Sequence, residues 1–196
     1  MSGTLQQHER EKWNQRYQDG THGNSAPDQF LVDAFDRYIE PLFPRAGYAL
    51  DVAGGTGRHA TFLADKGWKV KLIDIAEAGI ANARMKATHL SGEIEFATED
   101  VMKFRAQDTL YDIITVFFFL QREIFPELIQ ALKPGGLMIY KTYTEAQSNF
   151  AGGPTNPAYL LKENELLHLF PGFHVLHYAE LIRDCGMAEF AGRKPR

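Results

Sequence analysis

Leu50-Asp51-Val52-Ala53-Gly54-Gly55-Thr56-Gly57-Arg58-His59-Ala60 is the stretch on which the reading of this 196-residue chain turns. A short apolar run ends in an aspartate, three glycines follow within four residues, and a helix-forming segment begins at once. Gly55, Gly57 and Ala60 satisfy G-x-G-x-x-G/A. Between a strand and a helix, such a turn lets the main chain come close to a ligand. Asp74 ends the next apolar run, where a carboxylate can accept hydrogen bonds from both hydroxyls of a ribose. Loop and acid together predict a ligand that contains a nucleoside.

Working outward, the chain from residue 48 alternates strand-like and helix-like runs: YALDVA, RHATFLADKG, WKVKLIDI, AEAGIANARMKATHL, EIEFATED, YDIITVFFF, EIFPELIQALKPGG and LMIYKTY. Strands separated by helical runs signal βαβ units and a parallel sheet, with right-handed crossovers placing helices on both faces. Two last runs, FHVLHYAEL and GMAEFAGRK, read as an antiparallel hairpin at the end of that sheet. The expected fold class is α/β: a three-layer, Rossmann-like, doubly wound sheet of about seven strands, mostly parallel with a C-terminal antiparallel hairpin. The expected organisation is one domain over 1–196. It comprises a helical cap (1–40), a ligand-binding core (48–143), a cover segment (144–170) and the terminal hairpin (171–196).

Two helices are expected ahead of the core. The first carries Trp13 and Tyr17 four residues apart on one face and ends in turn formers over 19–28; the second holds Phe30, Leu31, Ala34, Phe35, Tyr38 and Ile39 and stops at Pro41. Past the core, 144–159 is rich in Gly, Pro and Asn and reads as a loop over a site, followed by a short amphipathic helix from Glu163 to Phe170. Within YDIITVFFF, strand alternation sends Phe118 to the face opposite Phe117 and Phe119.

Twenty-one basic residues against twenty-five acidic ones give a net charge of -4, which disfavours nucleic acid as a partner. The one cysteine, Cys185, supports neither a disulfide framework nor a cysteine metal site and fits a reducing compartment. His22, His59, His168, His174 and His177 lack metal-ligand spacing, so no metal is expected. No run approaches the roughly 20 apolar residues of a membrane helix, and the start lacks the apolar core of a signal peptide. A cytoplasmic protein is expected.

Asp51 separates the nucleoside ligands from one another. A dinucleotide pyrophosphate beside it would meet a like charge in a partly desolvated site, whereas S-adenosylmethionine carries an ammonium, a sulfonium and a single carboxylate. The motifs LDVAGGTG, VKLIDIA, ATEDV, YDIITVFFF and LKPGGLMIY, in that order, resemble those of class I S-adenosylmethionine-dependent methyltransferases over about residues 48–143. A closer likeness, through WNQRY, FFFLQR and GGPTNPAYLLKENELLHLF, is to the small-molecule branch that includes tellurite-resistance methyltransferases. The resemblance implies that Asp51, Ala53, Gly54, Gly55 and Gly57 hold the methionine end, Asp74 the ribose, and Asp100 and Val101 the adenine, with Ile75 also among the cofactor-binding residues. Phe117 would lie beside the cofactor, with Trp13, Arg16 and Tyr17 as a lid. Ala53 departs from the family, which has glycine there.

The expected function is methyl transfer from S-adenosylmethionine to a small-molecule acceptor by direct displacement, leaving S-adenosylhomocysteine. Such a transfer rests on proximity and a dry site, so no catalytic residue is assigned. Arg122 and Lys141, with Tyr143 and Tyr159 as neutral donors, are the substrate candidates. A monomer or homodimer without membrane contact is expected. The alternatives are a non-catalytic module binding the same cofactor and, third, an NAD-dependent oxidoreductase.

Overall fold

Seven strands make one sheet in the order β3-β2-β1-β4-β5-β7-β6 in the computed structural model, which describes residues 3–20, 25–88, 90–106 and 110–196. His22 lies outside the described residues. The strands are β1 (Tyr48–Val52), β2 (Lys69–Asp74), β3 (Glu93–Thr98), β4 (Tyr111–Phe117), β5 (Leu132–Tyr143), β6 (His174–Leu181) and β7 (Met187–Arg193). Pairs β1/β2, β2/β3, β1/β4 and β4/β5 are parallel, while β7 runs antiparallel between β5 and β6. The sheet order reverses between β1 and β4. In doubly wound sheets that reversal opens a crevice at the carboxyl ends of the strands.

Periodicity explains which helices cover which face. On one face Phe30, Leu31 and Ala34 of α2 (Gln29–Ala34) and Ala60, Leu63 and Ala64 of α4 (Arg58–Asp65) pack with Ile80 and Ala83 of α5 (Glu77–Lys86) over Ala49, Ile113 and Ile139. On the other, Phe125, Leu128 and Ala131 of α6 (Phe125–Ala131) and Leu166 of α7 (Glu165–Leu169) pack over Val52, Ile114 and Tyr140. α1 (Gly3–Gln18) has no such apolar face and docks on α5 through polar side chains.

Three local features differ from the sequence expectation. The second helix does not stop at Pro41: it widens into a π-turn over Phe35–Ile39 and continues as α3 (Glu40–Leu42). The wider turn relieves the clash a proline ring makes with the carbonyl four residues back. β5 begins at Leu132, with Pro134 and Gly135 inside it, because its register against β4 slips between Tyr111 and Ile113. A bulge absorbs residues that read as the end of the helical run EIFPELIQALKPGG. The cover segment is not one loop. It holds 3₁₀ turns at Glu145–Asn149 and Pro157–Tyr159, and Gln147 pins it by donating to Gly152 O and accepting from Gly186 N, both at 2.9 Å.

Candidate functional site

The glycine loop fills the step from β1 to α4. Gly55 (φ 55°) and Gly57 (φ 75°) take left-handed backbone that glycine adopts without steric cost. Ala53, where the family pattern has glycine, takes the same conformation at φ 52°. The departure is therefore in the side chain and not in the backbone path. The loop is fastened by Gly54 N to Ile73 O at 3.2 Å and by Gly57 N to Gly54 O at 2.9 Å.

Three carboxylates stand at the ends of three adjacent strands. Asp51 is 1% exposed; its Oδ1 accepts from the Thr115 hydroxyl at 2.9 Å and its Oδ2 from Ala60 N at 3.1 Å. Burial pushes its pKa up to about 7, against the pull of those two donors. Asp74 ties the second strand to the glycine loop, accepting from Gly55 N at 2.8 Å and from Ala76 N at 2.9 Å. Burial raises its pKa too. Asp100 caps the 3₁₀ turn Val101–Lys103 through Oδ1, which accepts from Met102 N at 2.9 Å, while its Oδ2 is buried without a hydrogen-bond partner. A buried acceptor left unpaired costs stability, so this atom suits a donor that arrives with a ligand. Val101 is buried beside it and Ile75 is half-buried.

α1 lies over the loop. Asn14 accepts from Ala78 N at 2.9 Å and donates to Glu77 at 2.7 Å, serving as the N-terminal cap that α5 lacks in its own sequence. Arg10 adds an ion pair to Glu77 at 3.4 Å. Trp13 and Tyr17 stack at 5.8 Å, and the Arg16 guanidinium sits 4.9 Å from the Trp13 ring. Tyr17 reaches furthest inward: a methyl group on Gly55 would collide with its hydroxyl, and one on Gly79 would press on its ring. Burial, and after it the charge of Asp74, raises its pKa.

The β4 end departs from the expected alternation. β4 stops at Phe117, and Phe118 takes φ 57°, so Phe117 and Phe118 pack against the same face while Phe119 joins the other. A left-handed step breaks the pleat that would have alternated them. Phe117 is buried, its ring centroid 4.1 Å from that of His59 and 6.4 Å from that of Phe30. Phe118 stays partly exposed, with the Arg58 guanidinium 5.4 Å and the Tyr143 ring 5.7 Å from its own.

Two substrate candidates are committed elsewhere. Arg122 pairs with both carboxylate oxygens of Glu165 and donates to Ala158 O at 3.1 Å and Leu160 O at 2.9 Å, so it clamps the cover segment. Lys141 pairs with Asp28 and Glu189, each at 2.9 Å, and anchors the start of α2 to the sheet. Both cations are engaged because each lies next to a carboxylate far away in sequence. Tyr143 and Tyr159 are half-buried at the same end of the sheet. A cavity of about 150 Å³ lies beneath α2, lined by Phe30, Arg37, Tyr38, Lys141, His177 and Glu189. It borders the crevice through Phe30 and is not the glycine-loop site. Sequence reasoning passed over Arg58, which lies inside the G-x-G-x-x-A motif directly after Gly57, a position that was the available signal.

Residues 49–136 match the family model described as a methyltransferase domain. The ubiquinone/menaquinone biosynthesis C-methyltransferase UbiE of Pseudomonas fluorescens is 30% identical over 118 residues, 55% of this chain and 46% of that protein. The chain spans about half the length of the first curated relatives it matches. Among solved structures, magnesium protoporphyrin IX methyltransferase (ChlM) from Synechocystis, with bound SAH, superposes with a TM-score of 0.73 at 15% identity, covering 96% of this chain and 99% of that one. TehB from Haemophilus influenzae gives 0.71 at 22% identity, covering 91% and 66%. These structural likenesses show the fold. With the family match over residues 49–136, they bear out the resemblance to class I methyltransferases. Among the described residues, no helix is long and apolar enough to cross a membrane.

Proposed function

We propose that this methyltransferase domain binds S-adenosylmethionine at the β1/β4 crevice and transfers its methyl group to a small-molecule acceptor by direct displacement. The observation that carries the reading is the row of carboxylates at the ends of β1, β2 and β3, with Oδ2 of Asp100 buried and unpaired. Asp51 and the backbone of Ala53–Gly57 would hold the methionine end, Asp74 and Ile75 the ribose, and Asp100 with Val101 the adenine edge, whose exocyclic amino group is the donor Oδ2 wants. Bound there, the cofactor supplies a methyl group activated by a sulfonium.

The chain's own residues do the rest. Tyr17 and Trp13 close over the loop and exclude water, and Phe117 with His59 backs the crevice with an apolar wall. Cap, core, cover segment and hairpin act as one unit in the cytoplasm, an assignment supported by the packing of cap and cover on the sheet and by the lone cysteine. A dinucleotide would place its pyrophosphate against Asp51. Calorimetry with SAH and with NAD tests the cofactor, SAH binding in the low micromolar range or near it and NAD not at all. Transfer from methyl-labelled cofactor to thiol, oxygen, amine and metalloid acceptors tests the reaction. Preference for RNA over every small molecule tried would sink the acceptor assignment.

A further inference from the structure

Phe118 has a backbone conformation that sequence economy does not explain. Glycine or asparagine adopts φ near +57° readily, whereas a bulky side chain there is an outlier that its surroundings must hold in place. The surroundings do hold it: Phe118 N donates to Lys141 O at 2.8 Å, one residue beyond the end of β4. Burial is not the compensation, because the ring remains partly exposed. What the step achieves is to turn the ring toward the side of the crevice where Arg58 and Tyr143 converge on it, at 5.4 Å and 5.7 Å.

Arg58 is chemically different from the two cations read from the sequence. Arg122 and Lys141 are paired with carboxylates, while Arg58, half-buried, makes no ion pair among the described residues and donates only to Ala26 O at 3.4 Å. Tyr143 presents a hydroxyl for which the described residues provide no hydrogen bond. An aromatic ring, a planar guanidinium and a phenol thus share one rim of the crevice, next to the loop that starts α4.

We propose that Phe118, Arg58 and Tyr143 form the acceptor-selecting wall of the site, and that it takes a planar acceptor bearing a carboxylate or comparable anion. The proposal rests on the methyl-transfer reading and names its substrate class. The guanidinium fork matches a carboxylate in two parallel hydrogen bonds. The Phe118 ring meets a flat partner by offset stacking, which a puckered ring of the same charge cannot reproduce.

Three probes separate these features: benzoate is planar and anionic, benzamide planar and neutral, cyclohexanecarboxylate anionic and puckered. Each is titrated calorimetrically into the full chain with and without SAH, so that failure of the cofactor reading shows in the SAH isotherm and leaves the wall test standing. Benzoate should bind about tenfold tighter than either of the others. Phe118→Gly should keep or raise the melting temperature, because it removes the strained side chain, while erasing the preference for benzoate over cyclohexanecarboxylate. Phe118→Leu should erase it too. Arg58→Gln should erase the preference over benzamide and leave the SAH isotherm in place. The proposal is overturned if the three probes bind alike or none binds, if Phe118→Gly retains the preference, or if Arg58→Gln weakens SAH instead and so gives Arg58 to the cofactor.

Discussion

β1 and β4 border the same crevice and end in the same left-handed step, at Ala53 (φ 52°) and Phe118 (φ 57°), yet one step carries a methyl group and the other a phenyl ring. On the β1 side the turn itself, Ala53 to Gly57, is built of small residues, and the main chain of Gly54 to Gly57 is what a ligand would meet. On the β4 side the turn presents rings and a guanidinium. A site made of backbone serves a ligand that does not vary, which is why it takes a recurring motif. A site made of side chains can differ from protein to protein, and its chemistry must be read residue by residue.

The largest effect expected on the β1 side is the pH dependence of Asp51. An unfolded aspartate ionises near about 3.9, while the buried one holds its proton to about 7. Between those values the folded chain binds more protons, so this group makes stability fall as pH rises from roughly 4 to 7, by at most on the order of 4 kcal/mol. Asp74, also raised by burial, adds to the same trend. Denaturant unfolding across that window should show a slope that Asp51→Asn flattens. A cofactor ammonium beside Asp51 favours its ionised form, so SAH binding near pH 7 should release a proton, seen as an enthalpy that differs between buffers. An unchanged slope in the variant together with no proton release would separate Asp51 from the cofactor.

Next in size is Asp74→Ala. It removes the acceptor for Gly55 N and Ala76 N as well as the proposed ribose contact. Charge-assisted hydrogen bonds of this kind contribute roughly 1.5–3 kcal/mol, so SAH affinity should fall by roughly ten- to a hundredfold. Calorimetry showing equal affinity would remove the ribose assignment.

On the β4 side the expectation for Arg122 changes with the structure. A substrate-binding arginine would show a raised acceptor KM and unaltered stability. A clamp on Glu165 shows the opposite, and Arg122→Gln should lower stability by about 1–2 kcal/mol with SAH affinity preserved. A double-mutant cycle with Glu165→Gln measures the coupling directly. Additive losses would mean that the pair contributes nothing and that the cover segment is held by its other contacts.

The two sides were not equally legible in the sequence. The parallel core, the glycine turn, Asp74 and the terminal hairpin follow from short-range patterns: alternation of runs, turn residues and strand spacing. Arg122 and Glu165 lie 43 residues apart, Lys141 and Asp28 113 apart, and neither pairing leaves a local trace. The three phenylalanines in a row read as continued strand, since nothing in their letters announces a left-handed step at the second. Pro41 read as a stop because a proline normally ends an element, and Pro134 read as part of a helical run; here a π-turn and a bulge absorb them.

The smallest effect tests the comparison itself. If Ala53 and Phe118 differ only in what they present to the crevice, the backbone strain at both should be relieved by glycine. For Ala53→Gly two terms oppose. A β-carbon in left-handed backbone costs roughly 1 kcal/mol or a little more, and glycine removes it. Glycine also adds freedom to the unfolded chain, which costs about 0.4–1 kcal/mol. The difference should leave the variant more stable by at most about 0.8 kcal/mol, read as a small rise in the denaturant midpoint at constant slope. SAH affinity should stay within about twofold, because the backbone path already matches the one glycine would take. A loss of stability, or a clear change in SAH affinity, would show that the Ala53 methyl group is itself part of the site. The two strand ends would then be alike in function as well as in backbone.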